Sequence, residues 1–380
     1  MTDLLFEPMT FANGLTLRNR VVMAPMTTWS SNADETVSDE ELAYYRARSH
    51  GVGMVITGCT HVQPSGIGFA NEFAAYDDRF IPGLRALALA AKSGGALAVL
   101  QIFHAGNKAI PDLIPGGELV SASSMPASKG PFNDRKQASR ALRHDEILAM
   151  ICDFGEATRR AIEAGFDGVE LHGAHGFLLQ NFLSPKYNQR ADEWGGTQEN
   201  RMRFALAVVD EVRRVIAAKA DRPFLLGYRI SPEEPEEGGL RISDALTFAD
   251  ALVRGGKVDY LHTSLYNLLG SAPQNEAAGK TTVERFVEIV GARLPLLAAG
   301  EIRTPSQARR AMDLGLALVA VGRGLVMNPR WPQLAKAGKD EDIEISLDLS
   351  ATEQHYQLPS KLWDVIQRTT GWFPSAGQAR

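Results

Sequence analysis

The chain has 380 residues, 44% of them hydrophobic and 22% charged, with a formal net charge of −5; this composition excludes disordered, fibrous and disulfide-rich classes. The mild acidity gives no general attraction to nucleic acid, and no window reaches the roughly 18 uninterrupted apolar residues of a membrane span, so a small molecule is the expected partner. The two cysteines, Cys59 and Cys152, are too few for an iron–sulfur cluster or a disulfide framework and suit a reducing compartment.

The N-terminal stretch lacks a basic segment followed by an apolar run, so no signal peptide is read and a cytoplasmic protein is expected. A homo-oligomer is left open. Residues 11–17, FANGLTL, set two short apolar arms around Asn13-Gly14, the pair favoured in a type I′ hairpin. Such a hairpin is suited to plug the bottom of a barrel. Eight short apolar runs follow, at 21–25, 54–59, 96–103, 168–172, 224–230, 260–264, 294–299 and 318–322. VVMAP, MVITG, ALAVLQIF, PLLAAG and LVAVG are continuously apolar, as strands buried on both faces of a parallel sheet should be. Amphipathic helices are predicted between them at 39–49, 82–93, 145–164, 199–218, 243–254, 282–290 and 306–314.

Eight strand–helix units with no intervening linker predict an α/β fold, a closed (β/α)8 TIM barrel with an N-terminal hairpin and a C-terminal extension. Residues 1–345 are assigned to the barrel and 346–380 to the extension packed on it. The stretch 104–144 is too long for a simple loop and is expected to form a lid over the C-terminal face.

Chemistry in this architecture sits at the C-terminal strand ends. No lysine falls there, which argues against a Schiff-base aldolase. His172-x-x-His175 has metal-ligand spacing without a supporting carboxylate set, so no metal site is assigned. Gly300 and Gly322 each follow a buried strand, where backbone N–H groups could hold a phosphate beside Arg323. The run EEPEEGG at 233–239 reads as a solvated loop, and Cys152 as a packing residue in a helix.

Four motifs then converge: LRNRVVMAPMT, QIFHAGNK, GFDGVELHGAHGFLLQNFLSPKYNQRADEWGG and LVAVGRGLVMNP. With them the chain resembles the Old Yellow Enzyme family of FMN-dependent NAD(P)H oxidoreductases. The resemblance implies non-covalent FMN, reduced by NADH or NADPH, and an electron-poor acceptor such as an activated alkene, a quinone or a nitro compound. By resemblance, Pro25, Met26 and Thr27 would lie against the flavin ring, with the Thr27 hydroxyl near its O4 and N5. Cys59 would take the place of a small residue beside the ring, and Gln101 would bond the pyrimidine edge. Arg229 would face N1 and O2, and Gly300, Gly322 and Arg323 would hold the phosphate. His172 and His175 would bind the acceptor oxygen.

Three positions depart from the family pattern. Phe177 stands where a proton-donating Tyr is usual, Asn107 replaces an Arg, and Trp29 takes a position often held by Tyr. Tyr266 or water is the expected alternative proton source; Trp29 and Phe177 are expected to shape the acceptor site. The absence of cysteine after Cys152 excludes the iron–sulfur variant of the family. Trp363, Trp372 and Phe373 in the C-terminal stretch read as core or subunit contacts. Two other readings remain beside the leading one: a flavin-binding carrier or sensor with weak turnover, and a metal-dependent barrel hydrolase using His172 and His175.

Overall fold

The computed structural model describes residues 3–126, 137–274 and 279–375. Its centre is a ring of eight parallel strands: β1 Val21–Met23, β2 Met54–Ile56, β3 Leu97–Phe103, β4 Gly168–Gly173, β5 Leu225–Ile230, β6 Tyr260–Ser264, β7 Leu296–Ala299 and β8 Leu318–Val321. Each pairs with its sequence neighbours, and β8 pairs with β1, so the sheet closes on itself. This is the (β/α)8 barrel. The strands form where the sequence is continuously apolar, because one face packs into the barrel and the other under the helices. β1 and β2 stop short of the predicted ends, at Met23 and Ile56, before the chain turns through Pro25 and Gly58.

The outer helices are α1 Asp39–Ser49, α2 Ile81–Lys92, α3 His144–Ala164, α4 Gln198–Lys219, α5 Ile242–Gly255, α6 Thr282–Val290, α7 Pro305–Asp313 and α8 Arg323–Met327. Reciprocal side-chain caps start α1 (Ser38 with Glu41), α6 (Thr281 with Glu284) and α7 (Thr304 with Gln307). Such caps satisfy backbone N–H groups that have no acceptor within the helix. No helix among the described residues is long and apolar enough to cross a membrane.

The N-terminal hairpin is present, but its turn differs from the expected one. The Phe11 N–H bonds the Leu15 carbonyl and the Gly14 N–H bonds the Phe11 carbonyl, a three-residue loop in which only Gly14 has positive φ. A type I′ turn needs positive φ at both central residues; Asn13 instead spends its side chain on the Leu15 N–H and the Phe224 carbonyl. The plugging role holds nonetheless. Phe11 and Leu17 are buried in one apolar cluster with Val22, Met54, Val99, Leu225, Tyr260, Leu297 and Leu318, which is the lower barrel interior.

Residues 127–136 of the expected lid lie outside the described residues. The part before them is packed rather than draped: Ala105, Ala109, Ile114 and Leu119 share a buried cluster with Cys59, Phe103 and Phe177. Two readings of local environment need correction. Cys152 is exposed, on the outer face of α3, while Met150 and Phe154 face inward. In the 233–239 loop Glu234 turns inward and accepts hydrogen bonds from Gln180, Ser184 and the Leu240 N–H. The loop is therefore anchored to the short helix Leu178–Leu183 and its following turn, not merely solvated.

The C-terminal segment is tied to the barrel by Arg48 of α1. This fully buried guanidinium donates to the carbonyls of Tyr44, Leu325, Val326, Tyr356 and Gln357. Burial lowers it to about 10, so it stays charged at neutral pH. Trp363 and Phe373 are buried, as expected of packing residues.

Phe11→Ala should destabilise the protein by about 3 kcal/mol, the usual range for deleting a buried Phe side chain, measured by denaturant unfolding. A loss under about 1 kcal/mol would mean that the hairpin adds little to barrel closure.

Candidate active site

Side chains two residues apart on a strand point the same way, so each barrel strand carries one residue of the apolar floor and one of the layer above. Val99, Gly168, Gly227 and Tyr260 belong to the lower level; Gln101, Glu170, Arg229 and His262 stand above them. The upper level is polar. Glu170, fully buried, accepts from Gln101 Nε2 at 2.7 Å, Tyr260 OH at 3.1 Å and His262 Nδ1 at 2.9 Å. Tyr260 can reach across only because position 227 is glycine: a Cβ there would lie 2.1 Å from the Tyr260 ring. Against its burial, His262, Arg229 and Gln101 hold Glu170 below the ordinary carboxylate value, so it is ionised. His262 is kept neutral chiefly by desolvation.

Arg229 supplies the balancing charge. It is 6% exposed, donates from Nη2 to Ser264 Oγ at 3.0 Å, and its Nε is buried without a hydrogen-bond partner. An unpaired buried donor costs free energy, and it marks where a ligand acceptor fits. Arg229 lines a cavity of about 340 Å³ together with Pro25, Met26, Ser264, Tyr266, Gly300, Glu301, Gly322, Arg323 and Trp372. Cys59 is buried behind this wall, with its thiol 3.5 Å from Gln101 Oε1. Burial pushes the thiol far up, so it stays protonated and inert near neutral pH.

His172 is 1% exposed, and its Nδ1 accepts from the Ala174 N–H at 3.2 Å. Desolvation, His175 and Arg229 hold it well below 6.5. A neutral ring with Nδ1 accepting carries its proton on Nε2, so His172 presents an N–H donor at neutral pH. The His175 ring lies 4.9 Å from it, centroid to centroid. His175 is exposed at the face of the barrel and is likewise held neutral, by its crowded surroundings and by Arg229 and Lys108. The Phe177 ring is 5% exposed and packs edge-on to His172 at 4.8 Å and Phe103 at 4.9 Å. Asn107 is buried nearby with both amide atoms unpartnered. Among the described residues no group of three His, Cys, Asp or Glu side chains has metal-binding geometry.

Backbone strain marks the same face. Trp29, His175 and Glu301, after β1, β4 and β7, all have positive φ (51°, 60° and 53°). For non-glycine residues this conformation is unfavourable and persists where surrounding contacts enforce it. Trp29 is wedged edge-on between Phe69 and Trp372, 5.4 Å from each. Glu301 accepts from both Arg303 and Arg323, and Arg323 also donates to the Trp372 carbonyl at 2.7 Å. Thr27 is half-buried beside Cys59. Tyr266 stands at the cavity rim, 86% exposed.

Several contributors carried no sequence signal strong enough to single them out. Ser264 lies two residues beyond His262, on the same face of β6, and that spacing was the available clue. Ser231 and Lys108 fix the His175 backbone and precede or follow strand ends without distinctive context. Trp372, read as a packing residue, lines the cavity from 49 positions beyond Arg323 in the chain.

The buried histidines set the acid limb of stability. Desolvation depresses His104, to about 3, and also His172 and His262. A histidine depressed by folding adds stability above pH 6.5 that is lost as pH falls, because the unfolded chain takes up the proton first. Glu72, raised by burial to about 7, acts in the opposite sense over this range, as does the raised Glu41, while the raised His61 opposes mainly above pH 6.5. Stability should fall from pH 6.5 towards 5, by about 1.4 kcal/mol per pH unit for each net proton. Equal denaturant midpoints at pH 7 and pH 5.5 would contradict neutral, buried histidines.

Residues 4–342 match the family model described as NADH:flavin oxidoreductase / NADH oxidase. The chain is 44% identical over 371 residues to the "Probable NADH-dependent flavin oxidoreductase YqiG" of Bacillus subtilis, covering 97% of each. It is 38% identical to the "NADH:fumarate oxidoreductase" of Klebsiella pneumoniae, over 94% of this chain but 38% of that one. Among solved structures, an Old Yellow Enzyme homologue from Zymomonas mobilis superposes with a TM-score of 0.79 at 26% identity, covering 94% of this chain and 98% of that one. Morphinone reductase in complex with tetrahydroNAD gives 0.75 at 29%, covering 88% and 90%. The cavity, its buried arginine and these matches agree: the chain belongs to the NADH:flavin oxidoreductase / NADH oxidase family and is an NAD(P)H-dependent, FMN-using oxidoreductase of Old Yellow Enzyme type.

Proposed function

We propose that the enzyme reduces an electron-poor small molecule, an activated alkene, a quinone or a nitro compound, whose oxygen is bound by His172 and His175. The observation that carries this reading is the buried Arg229, its Nε unpartnered in the cavity wall, one serine away from a pair of neutral histidines. FMN, when bound, supplies the hydride-transfer chemistry between the nicotinamide and the acceptor. The residues supply position and charge. Arg229 offers fixed positive charge where negative charge accumulates on reduction. Gln101 keeps amide capacity beyond its bond to Glu170, and Pro25, Met26, Thr27 and Cys59 offer a close, largely apolar edge. Gly300, Gly322 and Arg323 are assigned to the phosphate.

A neutral Nε2–H on His172 polarises an acceptor carbonyl or nitro oxygen without itself losing a proton, and stabilises the negative charge that develops there. Proton delivery to carbon is a separate matter. Phe177 has no proton to give, so Tyr266 at the rim or water is assigned that step for alkenes, whereas quinone reduction needs none at carbon. Trp29 and Phe177 shape the acceptor side. The relatives named for fumarate and acrylate support electron-poor acceptors as a class, although this chain spans little more than a third of either.

Purified protein should be yellow, and NADH or NADPH should bleach the flavin anaerobically; colourless protein that cannot be reconstituted with FMN would overturn the reading. The double variant His172→Ala/His175→Ala should weaken binding of a phenol, an enolate mimic, by roughly 10-fold or more, the loss expected when two hydrogen bonds to an anionic oxygen are removed. Unchanged phenol affinity would remove both histidines from the acceptor site. Phe177→Tyr should raise turnover of enones more than of quinones, and equal effects would show that the missing hydroxyl is not what limits alkene reduction.

A further inference from the structure

His175 is held on three sides. Its N–H donates to Ser231 Oγ at 2.9 Å, its carbonyl accepts from Lys108 Nζ at 2.6 Å, and its ring Nε2 lies 2.7 Å from Ser264 Oγ. The same Ser264 oxygen accepts from Arg229 Nη2 at 3.0 Å. A guanidinium has only donors, so Arg229 occupies one lone pair of the hydroxyl and polarises its O–H bond. The hydroxyl proton then needs an acceptor. Among the described residues Ser264 Oγ has hydrogen-bond partners only in Arg229 and His175. The reverse order, Nε2–H donating to Oγ, would fill both lone pairs of the hydroxyl and leave its proton with no protein acceptor among the described residues.

We propose that Ser264 is a positioning residue that fixes the ring proton of His175 on Nδ1 and couples this histidine to Arg229. Donation runs one way, from Arg229 to Ser264 to His175. The Nδ1–H is then the ring's single donor, and the two histidines present opposite tautomers: Nε2–H on His172, Nδ1–H on His175. Ser264 can do this because it ends β6 beside Arg229 on β5, where parallel pairing sets Arg229 opposite His262 and the next inward residue of β6 is Ser264. The consequence for acceptor binding rests on the reading that His175 holds the acceptor oxygen; the tautomer itself does not.

The test is the 15N NMR tautomer signature of His175 in FMN-loaded protein carrying labelled histidine, with its resonance identified by its absence from His175→Asn. Wild type and Ser264→Thr, which keeps the hydroxyl, should show Nδ1–H, and Ser264→Ala should shift towards Nε2–H. Phenol affinity should fall about 5- to 10-fold in Ser264→Ala and recover in Ser264→Thr, the effect of one misdirected hydrogen bond. An Nε2–H ring in the wild type, or the same tautomer with and without the hydroxyl, would overturn the proposal. If Ser264→Ala does not fold, the wild-type tautomer alone decides. A shifted tautomer with unchanged phenol affinity would uphold the role of Ser264 and instead count against His175 as an acceptor ligand.

Discussion

The site depends on one constraint: a carboxylate buried in the middle of a barrel must be compensated within the barrel. Glu170 is ionised with no access to water, and removing such a charge from solvent costs several kcal/mol unless it is paired and hydrogen-bonded. Three neighbours satisfy its oxygens, and Arg229 balances its charge. The pairing explains why an arginine can sit 6% exposed at a strand end with one donor still unpartnered. Glu170 fixes where the positive charge stands; Arg229 turns that charge outward to the cavity. From Arg229 the order passes on to Ser264 and His175, so a group in the barrel interior orients one on its face.

The barrel was legible because its strands are buried on both faces and its helices carry a 3.6-residue repeat bounded by caps and glycines. Those are local signals. Thus 39–49, 260–264 and 282–290 match the expected bounds to the residue, and the other elements differ by one to three positions at one or both ends. The hairpin at Asn13-Gly14 was found by composition but given the wrong turn, since the dipeptide does not fix how many residues share the loop. Cys152 departs from its expected burial for a related reason. A helix face is set by phase, and a lone small apolar residue one position off that phase lands in solvent.

The candidate site divides the same way. Strand ends are countable in sequence, so Gln101, His172, His175, Arg229, Gly300, Gly322 and Arg323 fell into one neighbourhood. Residues that act by reaching across the fold had no comparable signal. Trp372 reaches the cavity on the C-terminal segment, whose residues 356–357 Arg48 ties to α8 and whose Trp372 carbonyl Arg323 binds. Nothing in the spacing of Arg48 and Tyr356 reveals that, because the bonds go to backbone carbonyls that every residue possesses. Glu234 was hidden similarly, an acidic residue in an acidic loop whose partners lie 50 and 54 positions away.

The strained residues connect fold to function most directly. Trp29, His175 and Glu301 sit at ends of three different strands, and none has the glycine that would relieve a positive φ. Each is instead enforced by contacts that belong to the site: Trp29 by Phe69 and Trp372, His175 by Ser231, Lys108 and Ser264, Glu301 by Arg303 and Arg323. A strained backbone relaxes unless several contacts hold it, so each aromatic wall, histidine and arginine pair is over-determined. That rigidity has a chemical use. Hydride transfer needs donor and acceptor atoms in near-attack geometry, and small displacements are costly; a histidine clamped at its N–H, its carbonyl and its ring has little freedom to drift. With Phe177 giving no proton, orientation and charge are what this face has to offer an acceptor.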